Sequence, residues 1–279
     1  MIELRNLSKQ YERTKAVDNI SLTIETGEFF GLLGSNGAGK TTTIGMLSTL
    51  LLPTAGEIYI DGQLLNRSRT DIKRKISVIT QEYSMRQDMN MDEIMEYQGR
   101  LYYMSVREIR EKTEYLLDFC GLTKDRKKTV RKLSGGMKRK LMVCRALLTD
   151  PQILLLDEPT VGMDALSRRQ MWDLLRRLNQ QNLTILLTTH YIEEAQMLCQ
   201  RVAMMEKGRI LQVDTPAGFI RQLGDYAVDE ILPTGTHTSF FSTKEEALAY
   251  AGSVSGNFQL RETVLEDVFI NQSLHAARV

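Results

Sequence analysis

An α/β fold with a mostly parallel, helix-covered sheet is what this 279-residue sequence predicts. Three observations lead there. Phe29–Leu33 is an unbroken apolar run that stops at Gly34, as a strand buried on both faces and feeding a tight loop would. Short apolar runs of the same kind recur at 153–156 and 183–187, in the strand–loop–helix order of parallel sheets. Between 86 and 150, by contrast, strand-like runs vanish and helix formers dominate, so a helical subdomain inserted into the sheet domain is expected.

Taken in order, Ile20, Leu22 and Ile24 alternate with polar residues and read as a half-buried strand. Residues 40–51 read as a helix whose end is punctuated by Pro53 and Gly56. Residues 56–60 and Ile76–Ile79 are further strands. Helices are expected at 93–104, Val106–Phe119 and 136–148, the last with Met137, Leu141, Cys144 and Leu148 on one face. Near 218 the texture shifts to Gly, Ser and Thr mixed with short apolar runs. Thr243-Lys244-Glu245-Glu246 there has the form of a capping box. The expected division is therefore a main domain over 1–218, with its helical insertion at about 86–150, and a small α+β region over 219–279.

Composition narrows the class. With 42% hydrophobic and 25% charged residues the chain is an ordinary globular protein, not a disordered or fibrous one. Lys+Arg 36 against Asp+Glu 35 leaves a net charge of +1, which provides no electrostatic footprint for nucleic acid. No run approaches the roughly 18 apolar residues of a membrane span. Met1-Ile2-Glu3-Leu4-Arg5 does not have the form of a signal peptide. Cys120, Cys144 and Cys199 lack metal-ligand spacing and read as core thiols of a reducing compartment.

Chemistry concentrates in three segments. Gly34-Ser35-Asn36-Gly37-Ala38-Gly39-Lys40-Thr41-Thr42 fits G-x-x-x-x-G-K-[ST] between a buried strand and a helix, the context a phosphate loop requires. Its glycines let backbone N–H groups turn inward, and the helix start adds about half a positive charge aimed at the same anion. Lys40 supplies a full charge for the β- and γ-phosphates, and the Thr41 hydroxyl is a Mg²⁺ ligand. Read as a strand delivering its terminal acids, 153–158 brings Asp157 to the Mg²⁺ shell and sets Glu158 beside it to polarise an attacking water. Read alone, an Asp-Glu pair is more commonly a strand ending in solvated acids; the phosphate loop upstream favours the catalytic reading. Ser134, Gly135 and Gly136 open a helix and form a second anion site. It cannot reach the first within one molecule, so ATP is expected between two copies.

With Leu133-Ser134-Gly135-Gly136 added, residues 1–220 resemble the nucleotide-binding subunit of ABC transporters. The resemblance implies a P-loop NTPase core with an N-terminal antiparallel β element, and binding of ATP and Mg²⁺. It implies that Tyr11 stacks on adenine with Val17 nearby. It also implies that Gln81 contacts water and Mg²⁺ at the junction with the helical region, and that His190, after Thr188-Thr189, contacts the γ-phosphate. His237 and His275 carry no such expectation. Val161-Gly162-Met163-Asp164 takes the place of the D-loop. Met137 stands where the family most often has Gln, and Met163 where Leu is common. The tail Thr263-Val264-Leu265-Glu266-Asp267-Val268-Phe269 resembles that of daunorubicin-resistance-type ATPases, although a C-terminal amphipathic helix explains it as well.

The function so implied is a hydrolysing subunit that drives a separate permease by head-to-tail dimerisation, with itself or with a paralogous ATPase. Its place would be the inner face of the cytoplasmic membrane and its cargo a drug, antibiotic, peptide or lipid-like substrate. Two alternatives stand beside this. One is a soluble ABC ATPase without a transport role, which would more often carry two modules or coiled-coil arms. The other is the ATP-binding half of an asymmetric heterodimer.

Overall fold

In the computed structural model the described residues are 1–276, with side chains described through 271. They form two compact units. The first comprises Met1–His190 and Ala203–Gln212. It opens with two long strands, β1 (Ile2–Tyr11) and β2 (Thr14–Ile24), followed by β3 (Phe29–Leu33) and helix α1 (Lys40–Leu47). Next come β4 (Ala55–Ile60), β5 (Gln63–Leu64), the single turn α2 (Thr70–Lys73) and β6 (Ile76–Ile79). Three helices follow, α3 (Met91–Leu101), α4 (Val106–Phe119) and α5 (Gly135–Leu147). Then come β7 (Ile153–Asp157), α6 (Ala165–Gln180) and β8 (Thr184–Thr189). Helix α7 (Ile192–Leu198) lies in the second unit, and β9 (Arg201–Glu206) and β10 (Arg209–Asp214) join the six-stranded sheet that contains β3.

Two sheets build the first unit. An antiparallel one has the order β2-β1-β4-β5, and a six-stranded one the order β10-β9-β3-β8-β7-β6. Within the second, β3, β8, β7 and β6 run parallel, with Phe29 beside Ile185, Leu154 beside Ile185 and Ile76 beside Ile153. Every residue of β3, β7 and β8 is buried, which is why their sequences are continuous apolar runs rather than alternations. Burying Ile153, Leu154, Leu155 and Leu156 alone stabilises this layer by roughly 6–12 kcal/mol before conformational entropy is charged.

Helix α1 is shorter than the expected 40–51. Thr49 adopts a left-handed φ of 61° and Leu51 N–H folds back onto the Gly45 carbonyl at 2.9 Å, so the chain turns four residues early. The helical subdomain is bounded by well-capped helices. Asn90 and Glu93 form a reciprocal capping box on α3, and Ser105 caps α4. Its ends are tied by Arg126, which donates to Asp92 at 2.7 Å and to Glu114 at 2.7 Å. Burial pushes the Asp92 carboxyl up, but Arg126 and Lys127 outweigh it and hold the group below its ordinary range. All three cysteines are buried, and burial raises the Cys144 thiol.

The second unit comprises Tyr191–Val202 and Val213–Val279. It holds α7, α8 (Pro216–Leu223), β11 (Tyr226–Leu232), β12 (Gly235–Phe241), α9 (Lys244–Ala251), β13 (Phe258–Glu262) and α10 (Leu265–Ala276). Its three-stranded antiparallel sheet has the order β12-β11-β13. Val228, Ala247 and Ala251 form the core between sheet and α9. Thr243 and Glu246 make the reciprocal capping box expected at the start of α9. The tail segment does structural work. Leu265 and Val268 are buried, and Asp267 caps α10 by accepting from Val264 N–H at 2.9 Å. Asp267 also accepts from Arg261, which bridges to Asp229 at 2.6 Å. His237 is exposed, and the side chain of His275 lies outside the described residues.

Candidate nucleotide site

The site stands at the C-terminal ends of β3, β7 and β8, where parallel sheets place their ligand crevices. Asn36, Gly37, Gly39, Lys40, Thr41, Thr42, Gln81, Glu158 and Ala16 line a cavity of about 370 Å³ there. A larger hollow of about 470 Å³ opens at the opposite strand ends, beside Ile153 and Thr184. That hollow has no glycine-rich turn leading into a helix, so it lacks the means to hold a phosphate.

Helix α1 begins at Gly39, whose φ is 110° and which offers no side-chain cap. A side chain there would meet the Ala16 carbonyl at 2.4 Å, so both space and backbone conformation require glycine. The first turn of α1 holds no acidic residue. Its unclaimed N–H groups and its dipole are therefore left for an anion.

Lys40 is buried, with Nζ donating to the carbonyls of Gly34 at 2.9 Å and Ser35 at 3.1 Å. The same ammonium lies 3.5 Å from Glu158 Oε1, and His190 Nδ1 lies 3.2 Å from that oxygen. Glu158 thus sits between a cation and an imidazole. It adopts a left-handed φ of 48°, rare for a residue with a side chain, and its N–H is held by the Thr188 carbonyl at 3.0 Å. Next to it, the buried Asp157 carboxylate accepts from Thr41 Oγ1 at 3.1 Å and from Thr188 Oγ1 at 2.6 Å. Two hard oxygen donors, a hydroxyl and a carboxylate, therefore face each other beside the phosphate loop, a donor set suited to a hard divalent cation.

Other residues singled out from the sequence lie around this centre. Ser35 contributes its carbonyl to Lys40, and Ala38 is buried beneath the loop. Val17 is fully buried and backs Gly39, leaving Ala16 as the residue that faces the cavity. Tyr11, 43% exposed, does not line the cavity, and its ring lies 5.1 Å from Lys9 Nζ. Ser134, Gly135 and Gly136 do not line it either. Ser134 caps α5 by accepting from Met137 N–H at 3.3 Å, and Gly135 stays exposed beside it. Asp164 caps α6 by accepting from Ser167 N–H at 2.8 Å, and this bond holds its carboxyl below the ordinary range.

Sequence reasoning missed Arg139, Tyr83 and Thr188. Arg139 is 1% exposed and donates to the carbonyls of Thr80 at 2.7 Å and Gln81 at 3.0 Å. Tyr83 donates to the Gly135 carbonyl at 3.2 Å. Helix α5 is thus fastened to the loop that carries Gln81. Only the position of a cation among the buried residues of α5 marks Arg139 in the sequence.

Comparison with known proteins identifies the family. The ABC transporter family matches residues 17–161. The linearmycin resistance ATP-binding protein of Bacillus subtilis (strain 168) is 32% identical over 240 residues, 86% of this chain and 77% of the relative. The daunorubicin/doxorubicin resistance ATP-binding protein of Streptomyces peucetius is 39% identical over 223 residues, 80% of this chain and 68% of the relative. The Nod factor export ATP-binding protein I of Cupriavidus metallidurans is 34% identical and spans 97% of this chain and 96% of its own. Among solved structures, a dimeric ATP-binding cassette in a post-hydrolysis state with ADP and Pi superposes with a TM-score of 0.70 at 28% identity. It covers 77% of this chain and 98% of its own. The chain belongs to the ABC transporter family, as an ATP-binding and ATP-hydrolysing subunit.

Proposed function

We propose that Glu158 is the general base of this ATPase, and that Lys40 and His190 hold the γ-phosphate around which it acts. The observation that carries this reading is the position of Glu158 Oε1, 3.5 Å from Lys40 Nζ and 3.2 Å from His190 Nδ1, at the mouth of the phosphate loop. Backbone N–H groups of 36–41 bind the phosphates, and Thr42 and Ala16 flank them. Thr41 and Asp157, with Gln81, hold Mg²⁺, which neutralises charge on the phosphates when bound. Tyr11 is assigned to the adenine side, and Val17, buried behind Gly39, backs the loop there. Glu158 takes a proton from water as the water attacks, and His190 keeps the carboxylate oriented.

Ser134, Gly135 and Gly136 are assigned to the γ-phosphate of a second subunit in a head-to-tail dimer. The exposed position of Ser134 and Gly135 at the start of α5, outside the lining of this chain's own cavity, supports that. Residues 1–218 form the ATPase module and 219–279 an accessory region. The names of the relatives, resistance to linearmycin and daunorubicin and export of Nod factor, support an exporter of a drug, antibiotic, peptide or lipid-like substrate. Among the described residues no helix is long and apolar enough to cross a membrane. A separate permease on the cytoplasmic membrane would supply the path, with this chain on its inner face.

Sedimentation of Glu158→Gln with and without ATP and Mg²⁺, beside hydrolysis rates, tests the reading. The expected result is a doubling of mass that appears only when nucleotide is added, and turnover lowered by about 10²–10⁴-fold. Turnover at the wild-type rate overturns the role of Glu158. A sedimentation profile that does not change on adding ATP overturns the sandwich.

A further inference from the structure

Strand β12 forms one edge of the three-stranded sheet, and among the described residues no strand pairs with its outer side. Which of its backbone groups face outward follows from the ladder. Ile231 donates its N–H to the Asn257 carbonyl at 2.9 Å, on the β13 side of β11. Backbone groups of a strand alternate between its two sides, so Ala227 and Asp229 also direct theirs towards β13. Their partners across β11 and β12 are Thr236 for Ile231, Thr238 for Asp229 and Phe240 for Ala227. These are the non-hydrogen-bonded pairs, so Thr236, Thr238 and Phe240 point N–H and C=O away from β11, into the open edge.

Exposed edges are normally defended by charge, proline, bulges or shortness. The opposite edge, β13, has such defences: it is five residues long and carries Arg261 and Glu262. The seven residues of β12 include no Lys, Arg, Asp, Glu or Pro, and they pair with β11 in continuous register from Leu232/Gly235 to Tyr226/Phe241. The strand is also complementary to itself. With a two-fold axis at Thr238, Thr238 meets its own copy, Thr236 meets Phe240, and His237 meets Ser239. No like charges are opposed. The three outward residues of each strand would then exchange main-chain hydrogen bonds, with aromatic and β-branched side chains paired on one face.

We propose that β12 is a self-association edge, onto which a second copy of this chain lays its own β12 antiparallel, centred on Thr238. Two three-stranded sheets become one of six. The contact is separate from the ATP sandwich and requires no nucleotide.

The test is oxidation of the full-length His237→Cys/Ser239→Cys variant by diamide without nucleotide. In the proposed register residue 237 of one copy faces residue 239 of the other in a non-hydrogen-bonded pair. Such Cα atoms lie about 4.5 Å apart, within disulfide reach. Each bridge consumes two thiols, and diamide accepts the two electrons and two protons. The native cysteines are buried, and the wild-type chain serves as the blank. A covalent dimer is expected, with its yield falling about tenfold when Thr236→Pro is added. That change removes an outward N–H without touching the β11 ladder. Thr238→Lys, which opposes two ammonium groups at the axis and gives up the 2.7 Å bond from Thr238 Oγ1 to Asp229, should lower the yield alike, and thermal melting of both variants beside wild type guards against a folding defect. Absence of the dimer, or a yield indifferent to both changes, overturns the proposal. The ATP sandwich is read as the change in mass of Glu158→Gln on adding nucleotide, and the β12 contact as a nucleotide-free disulfide, so failure of either leaves the other measurable.

Discussion

Arg139→Met probes the fastening of helix α5 to the Gln81 loop. The guanidinium is buried, with bonds of 2.7 Å to the Thr80 carbonyl and 3.0 Å to the Gln81 carbonyl, and it lies 5.1 Å from the Tyr83 ring centroid. Hydrogen bonds from a charged donor contribute about 1.5–3 kcal/mol each. Two offsets apply. Methionine keeps most of the apolar stem and avoids burying a charge, and the exposed Gln81 segment can recruit water. The net cost is then about 2–3 kcal/mol. In a unit of this size 1 kcal/mol moves the melting temperature by about 2–4 °C, so Tm should fall by about 4–12 °C. Lys40 and the phosphate-loop N–H groups are untouched, so ATP affinity should hold while turnover falls about 10–100-fold through misplacement of Gln81. Arg139→Lys, with a point charge in place of a fork, should recover only part of both. The assays are thermal melting without nucleotide, equilibrium ATP binding, and turnover at saturating ATP. A Met variant that melts within a degree of wild type and turns over normally would refute the coupling.

Lys40→Met should weaken ATP binding by about 2–3 kcal/mol, roughly 30–150-fold, as read by nucleotide titration. Thr188→Val removes the 2.6 Å donor to Asp157 and should raise the Mg²⁺ concentration for half-maximal turnover by about 10-fold or more; an unchanged Mg²⁺ titration excludes an orienting role for Thr188. Because the Asp92 carboxyl is held below its ordinary value of 3.8, its contribution is present above about pH 4 and lost as pH falls through the lower folded value. Wild type and Asp92→Asn should therefore differ in stability at neutral pH and converge in acid melting curves. Arg261→Met leaves Asp229 and Asp267 without their shared cation and should destabilise the second unit by about 2–4 kcal/mol, seen as faster proteolysis of the C-terminal region.

What could be read from the sequence was whatever depends on local pattern. The strand Phe29–Leu33 appears with the bounds its apolar run suggested, because a strand buried on both faces needs no tertiary information to declare itself. The capping box at Thr243 and Glu246 is equally local. The end of α1 was not readable, because it depends on Thr49 taking a left-handed conformation and Leu51 returning to Gly45. Arg139 and Thr188 were invisible for a related reason. Their partners lie 59 and 31 residues away, so nothing in a window around either announces the contact. The tail carried two readings that hold together. Daunorubicin resistance ATP-binding proteins are among the relatives, and Asp267 and Arg261 close a structural ion-pair network in the same segment.

The resting geometry also links binding to catalysis. Lys40 spends its ammonium on the Gly34 and Ser35 carbonyls and on Glu158, all within 3.5 Å. In the proposed cycle these groups occupy the charge that a γ-phosphate would take, so nucleotide must displace the Lys40–Glu158 pair to seat fully. ATP binding and release of the Glu158 carboxylate from its ammonium partner are then one event. The left-handed backbone at Glu158 fits this account: strain on the order of 1–3 kcal/mol is held by Thr188 to keep the carboxylate at the cavity mouth, where the exchange occurs. In Glu158→Gln the pair is absent from the start, so ATP should bind at least as tightly as in wild type while hydrolysis fails. Weaker binding in that variant would show that Lys40 and Glu158 do not compete in this way.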